Sequence, residues 1–236
     1  MSKTLCIKRI IKDINDLEKN NLESHNIFFH TVEDDIYKLK VLIIGTTDTP
    51  YENGFYFFDI NIPEDYPFAP PKVKFCTSNN KTRFNPNLYV DGKVCLSLIN
   101  TWSGPKWTSC NSLTSVLLSL QAIVFIKNPL HNEPGFEYDN SIRCTNYNKI
   151  LYYENINTGI IKMIKNIPNG FDLFESIIIQ YFFENYNNII TFIEKQIQEP
   201  ITVDAKIYNM TQQIDYKNLK KRITDLYECI VNKNKL

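Results

Sequence analysis

This chain has no excess of either charge: 26 Lys and Arg stand against 26 Asp and Glu in 236 residues. With a net charge of zero there is no overall field toward nucleic acid or an anionic membrane, so neither is an expected partner. No run approaches the ~18 consecutive apolar residues of a membrane span, and the start, MSKTLCIKRI, lacks the apolar stretch and cleavage site of a secretory signal. A cytoplasmic or nuclear location is the expectation. Only 7 residues are Gly, and low-complexity tracts and internal repeats are absent, which excludes fibrous and disordered classes. Cys6, Cys76, Cys95, Cys110, Cys144 and Cys229 include no C-x-x-C pair, and only three histidines accompany them. Free thiols, no structural metal and no bound cofactor are therefore expected.

What is present reads as helix, then sheet. Ile7, Ile10, Ile11, Ile14 and Leu17 fall at steps of three and four, which predicts one buried stripe of an N-terminal helix. Lys8, Arg9 and Lys12 lie off that stripe, as a solvated face would. Ile27–His30, Tyr37–Ile44, Phe55–Ile62 and Val73–Thr77 read as strands. Tyr51–Gly54 supplies a turn, and the prolines of Pro63–Pro71 force the chain out of the sheet because they cannot donate ladder hydrogen bonds. An α+β fold with an antiparallel meander follows. From Asn79 to Ser112 turn residues dominate, and a loop of that length inside a compact domain is usually functional. Leu113–Ile126 predicts a central helix with Leu113, Val116, Leu117, Leu120 and Val124 inward, apolar on most faces. Beyond Pro134-Gly135, apolar residues at helical spacing run to Pro200 with a break at Pro168-Asn169-Gly170, followed by a more polar helix carrying Leu219, Ile223, Leu226 and Ile230.

Cys95 is the sharpest chemical candidate, because it sits in the long loop just after the Asp91-Gly92 turn. A cysteine is a capable nucleophile with little help, although a buried, inert cysteine is the common alternative. A hydrolase would need a base from His25, His30 or His131, and no local hydrolase signature is present. Gly92-Lys93 lacks the upstream Gly of a phosphate-binding loop, Asn87 standing there instead, so ATP activation by this chain is not expected.

The run Gly54–Ile62, then Pro63–Val73 (PEDYPFAPPKV), Phe84-Asn85-Pro86-Asn87, Gly92–Ser97 (GKVCLS) and Trp107 resembles the ubiquitin-conjugating enzyme family over about residues 4–137. In that family the catalytic cysteine follows the asparagine of a His-Pro-Asn motif by eight positions, as Cys95 follows Asn87 here. The resemblance implies a conjugating fold: N-terminal helix, four-stranded meander, long active-site loop and central helix, with extra C-terminal helices. It divides the chain into a catalytic core, 1–155, and a helical extension, 156–236. It implies that Cys95 accepts ubiquitin or a ubiquitin-like protein as a thioester from an activating enzyme, which consumes the ATP, and yields it to a lysine of a protein substrate. Asn87 would serve the oxyanion or brace the loop, and Ser97 and Glu133 would flank the lysine's path. Lys8, Arg9 and Lys12 would meet the activating enzyme, and Phe68 a ligase. An inactive, ubiquitin-binding variant is the alternative; such variants lack the cysteine.

Some positions depart from the family pattern. Asn85 replaces the usual His, Leu98–Lys106 is long, and Thr108-Ser109-Cys110 stands where the family carries Ser-Pro-Ala for ligase docking. Phe-Asn-Pro-Asn with Asn132–Glu137 (NEPGFE) is similar to the larger atypical members, which include enzymes that load more than one modifier and giant BIR-containing hybrids. Ubiquitin itself is the expected cargo.

Overall fold

A computed structural model describes residues 3–233. Helix α1 (Lys3–Lys19) leads into strands β1 (Ile27–Val32), β2 (Asp35–Ile44), β3 (Phe55–Asn61) and β4 (Lys72–Phe75). They pair antiparallel in the order β1-β2-β3-β4, the expected meander. Helix α2 (Leu113–Val124) begins on a reciprocal cap in which Ser112 and Ser115 satisfy each other's backbone N–H, and it buries all five residues the spacing assigned inward. Its opposite side is open, with Leu118 and Ile123 exposed, so it is not apolar-buried on most faces.

Helix α1 is rotated from its expected phase. Its buried line is Cys6, Ile10, Asp13 and Leu17, and Ile11 is 45% exposed. The cause is Asp13, whose carboxylate turns inward to take Arg9 Nε at 2.8 Å, the Tyr66 hydroxyl and the Leu113 N–H. A buried charge is tolerable only when fully partnered in this way, and a hydrophobic-spacing argument does not weigh it.

Strand β3 is buried on both faces, where the alternation had promised one. On the inner face Tyr56 and Phe58 pack on Phe125 and Phe75. On the outer face Phe57 meets Phe171 at 5.0 Å, His30 meets Phe174 at 5.0 Å and Phe55 meets Tyr181 at 6.2 Å. Those outer partners all belong to the C-terminal extension, which closes the sheet's second face.

The extension begins as a single rod. Helix α3 (Ile142–Glu154) passes into a π-helical stretch, Asn155–Lys162, and a last turn, α4 (Met163–Lys165). The division expected at 155/156 falls inside this rod. Asn155 accepts the Tyr56 hydroxyl at 2.5 Å and donates to the Glu52 carbonyl at 2.8 Å, so the rod is seated on the turn before β3. Gly54 is required there, since a Cβ on it would lie 1.9 Å from Asn155 Oδ1. One apolar core runs across the boundary. Helices α5 (Glu175–Gln196) and α6 (Tyr216–Lys233) follow, joined through Tyr186 stacked on Tyr227 at 4.0 Å. Between them lies a hairpin, β5 (Ile201–Asp204) and β6 (Thr211–Ile214), so the extension is not helical throughout. Four-residue, half-polar strands leave too little periodicity for a sequence reading to find. Among the described residues no helix is long and apolar enough to cross a membrane.

Candidate active site

The segment between β4 and α2 is held by side-chain amides in place of secondary structure. Asn85, fully buried, is its hub. Its Nδ2 donates to the Val124 carbonyl at 2.9 Å and to the Tyr51 hydroxyl at 3.3 Å, and its Oδ1 accepts the Asn87 N–H at 2.8 Å and Asn132 Nδ2 at 3.3 Å. The residue that departs from the family motif thus ties the loop to the end of α2, work that needs a donor and an acceptor together, which asparagine supplies.

Cys95 is bound to this hub through Asn87. Its N–H donates to the Asn87 carbonyl at 2.8 Å, and Asn87 Nδ2 donates to the Cys95 carbonyl at 2.6 Å. The bracing contact expected as one of two roles for Asn87 is therefore present in the resting state. Its Oδ1 is buried and finds no hydrogen-bond partner among the described residues. Leaving an amide oxygen unpaired costs about 1–3 kcal/mol. Beyond the cysteine, Leu96 N–H donates to Thr101 Oγ1 at 2.9 Å and Trp107 N–H to Asn100 Oδ1 at 2.9 Å. The long Leu98–Lys106 segment is thereby folded back over Ser97, whose Oγ lies 3.3 Å from where a Cβ on Gly104 would sit.

Cys95 is 2% exposed, whereas Cys110 and Cys229 are exposed. No histidine hydrogen-bonds Cys95 among the described residues. His131 points Nε2 at the Asp139 carbonyl, 3.1 Å away, and His30 packs on the outer sheet face. A hydrogen bond from such a base to the thiol is the contact a cysteine hydrolase uses. Among the described residues there is also no cluster of His, Cys, Asp or Glu fit to hold a metal.

The remaining candidates are spread over the surface around the loop. Glu133, after α2, accepts the hydroxyl of Tyr208 from the β5–β6 turn. Lys8 and Lys12 are exposed on α1. Arg9 is committed to structure: besides Asp13 it donates to the Ser109 and Asn111 carbonyls, at 2.7 and 2.5 Å, and so anchors the segment after Trp107. Phe68 is 66% exposed on the proline-rich turn, which Trp107 Nε1 fixes through the Pro67 carbonyl at 2.6 Å. Sequence reasoning missed Asp13, Arg83, Thr101, Asn132 and Tyr208. Arg83 precedes the Phe-Asn-Pro-Asn run and could have been noticed; Tyr208 carried no signal at all.

The sequence profile described as "Ubiquitin-conjugating enzyme" matches residues 9–158. The chain belongs to the ubiquitin-conjugating enzyme family. It is 36% identical to "Ubiquitin-conjugating enzyme E2 Z" of Xenopus tropicalis over 239 residues, covering 98% of this chain and 74% of that protein. It is 43% identical to the E2 Z of Homo sapiens over 162 residues, covering 68% of this chain and 45% of that one. It is also 37% identical to the human "Dual E2 ubiquitin-conjugating enzyme/E3 ubiquitin-protein ligase BIRC6" over 75% of this chain and 4% of that protein. The chain thus spans about half the length of the human E2 Z and three quarters of the frog one. Among solved structures, a ubiquitin-conjugating enzyme E2 domain of Toxoplasma gondii aligns with a TM-score of 0.50 and 26% identity, covering 64% of this chain and 97% of that one. The family match ends inside the rod, and Phe171, Phe174 and Tyr181, which close the sheet's outer face, lie beyond it.

Proposed function

We propose that this member of the family receives ubiquitin, or a ubiquitin-like protein, on Cys95 as a thioester and passes it to a lysine of a protein substrate. The observation that carries the reading is the pair of hydrogen bonds locking Cys95 to Asn87, at the eight-residue spacing.

The chemistry runs as two acyl transfers. The Cys95 thiolate attacks the carbonyl carbon of the modifier's terminal glycine on the activating enzyme. A tetrahedral oxyanion forms, and the activating enzyme's thiolate leaves. In the second transfer a lysine amine attacks the same carbonyl, loses a proton to solvent or to a polar group beside it, and expels Cys95 thiolate. A preorganised amide donor at such an oxyanion is worth about 10²–10³ in rate, and the Asn87 side chain is the amide at hand. The absence of an adjacent strong base suits transfer, since a poised base would activate water against the thioester. Ser97 and Glu133 flank the amine's approach, Lys8 and Lys12 offer the activating enzyme a cationic helix face while Arg9 anchors it, and Phe68 offers a ligase an apolar contact. ATP is consumed by the activating enzyme.

The test mixes the full chain with activating enzyme, ATP and ubiquitin, with a ubiquitin-like protein and its own activating enzyme in a parallel arm, and resolves products without reductant. The expected outcome is a thiol-sensitive adduct, absent from C95A and thiol-resistant in C95S. An adduct that C95A leaves intact, or none with any activating enzyme, would overturn the proposal.

A further inference from the structure

The β5–β6 turn reaches both halves of the active site. Tyr208 donates its hydroxyl to Glu133 Oε2, on the loop after α2. The guanidinium of Arg83 lies over the same ring, 4.2 Å from its centroid, and over the ring of Tyr89 at 3.8 Å. Arg83 in turn donates to the Pro86 carbonyl at 2.5 Å and receives the Tyr147 hydroxyl on its own carbonyl at 2.6 Å, so it holds both ends of the Phe84–Asn87 run that carries Asn87. Tyr147 also packs edge-on against Tyr208 at 5.9 Å. One side chain of the extension therefore spans the Glu133 loop and the Asn87 loop.

The backbone supports this placement at a cost. Lys206, Tyr208 and Asn209 have φ of 58°, 55° and 53°, and the left-handed region is unfavourable for a bulky aromatic residue. Such conformations cost of order 1–3 kcal/mol each and persist where surroundings over-determine them. Burial, then the bond to Glu133, pushes the Tyr208 phenol above its ordinary value, so it stays a donor near neutral pH.

We propose that Tyr208 is a positioning residue for the lysine step: its hydroxyl fixes one oxygen of Glu133 and leaves the other facing the amine's path, while its ring clamps the Arg83 end of the Asn87 loop. This rests on the transfer reading above and assigns the extension a part in it. Loading of Cys95 does not use the amine path and is independent of the hydroxyl's bond to Glu133.

The test uses full-length protein, charged with ubiquitin in a single turnover and chased with free lysine. Tyr208→Phe removes the hydroxyl and keeps the ring. Its expected behaviour is unchanged thioester formation, unchanged hydrolysis of the thioester by water, and discharge to saturating lysine slowed about 10-fold, with less change in the lysine concentration for half-maximal rate. Glu133→Gln is expected to slow discharge as well, and Y208F is expected to add nothing further in the E133Q background, because both act through one carboxylate. Tyr208→Ala, which also frees Arg83, is expected to fall below Y208F. The proposal is overturned if Y208F discharges like wild type, if its effect is undiminished in E133Q, or if loading and hydrolysis change along with discharge, as general loosening would produce. Slow E133Q with normal Y208F would remove Tyr208 alone and leave the transfer reading standing. Failure of wild type to take any thioester would remove that reading and this inference together.

Discussion

The loop from Asn79 to Ser112 and the extension from Ile142 to the end of α6 are both well packed, but by opposite means. In the loop, order comes from a few side-chain amides: Asn79, Asn85, Asn87 and Asn100 each bond backbone or polar partners that no helix or strand serves. In the extension, order comes from repeated aromatic and aliphatic contacts, Phe171 and Phe174 on the sheet and Tyr186 on Tyr227 among them. The loop can therefore be undone by removing one amide, and the extension only by emptying a large contact. That division suits the chemistry. A reacting centre needs atoms at fixed positions, which directional hydrogen bonds supply, whereas a buttress needs area.

The largest expected effect is on the extension. Phe174→Ala deletes a fully buried ring from the outer sheet face and should cost about 3–5 kcal/mol. Because one core crosses the two regions, thermal melting should remain a single transition at lower temperature; a second transition, with the catalytic region melting as before, would break the picture of one core. Next comes Asn85→Ala, which orphans the Asn87 N–H and the Val124 carbonyl at once and should cost about 2–3 kcal/mol. Hydrogen exchange should quicken over residues 84–96 while the extension's protection falls only by the global loss; uniform quickening everywhere would contradict the local role of the amides.

A smaller effect per group comes from three buried tyrosines, Tyr51 in the turn before β3, Tyr56 in β3 and Tyr147 in α3. Burial pushes Tyr51, Tyr56 and Tyr147 well above the usual phenol range. The folded state then holds those protons more tightly than the unfolded chain. Their contribution is fully present below about pH 10, where unfolded phenols still keep their protons, and declines as pH rises above it. The slope is roughly 1.4 kcal/mol per pH unit for each group. Melts taken between about pH 9 and about pH 11 should fall steeply past pH 10, with the full tyrosinate absorbance of all 14 tyrosines reached only at unfolding; full absorbance in the folded state would contradict the burial.

The same contrast governs what the residues disclosed in advance. Cys95 and Asn87 were legible because motif and spacing mark them, and the meander and α2 were legible because apolar periodicity encodes them. Asp13 was not, since a buried carboxylate depends on Arg9, Tyr66 and Leu113 arriving from three separate segments. Nor were the hairpin and Tyr208, because four-residue strands carry almost no period and Glu133 and Arg83, which Tyr208 joins, lie 75 residues and more away in sequence. The continuity of the rod across the expected division at 155/156 was hidden for a related reason: the seating of Asn155 on Tyr56 is a tertiary fact.

The central claim is that the buried, amide-locked Cys95, and none of the five other thiols, carries the modifier. It is tested most directly by charging the wild-type protein, alkylating every free thiol under native and then denaturing conditions, and mapping the cysteines by mass spectrometry. Cys95 should be the one thiol protected until the thioester is cleaved, with Cys110 and Cys229 alkylated throughout; protection at Cys110 or Cys229, with Cys95 alkylated in the charged protein, would contradict the account.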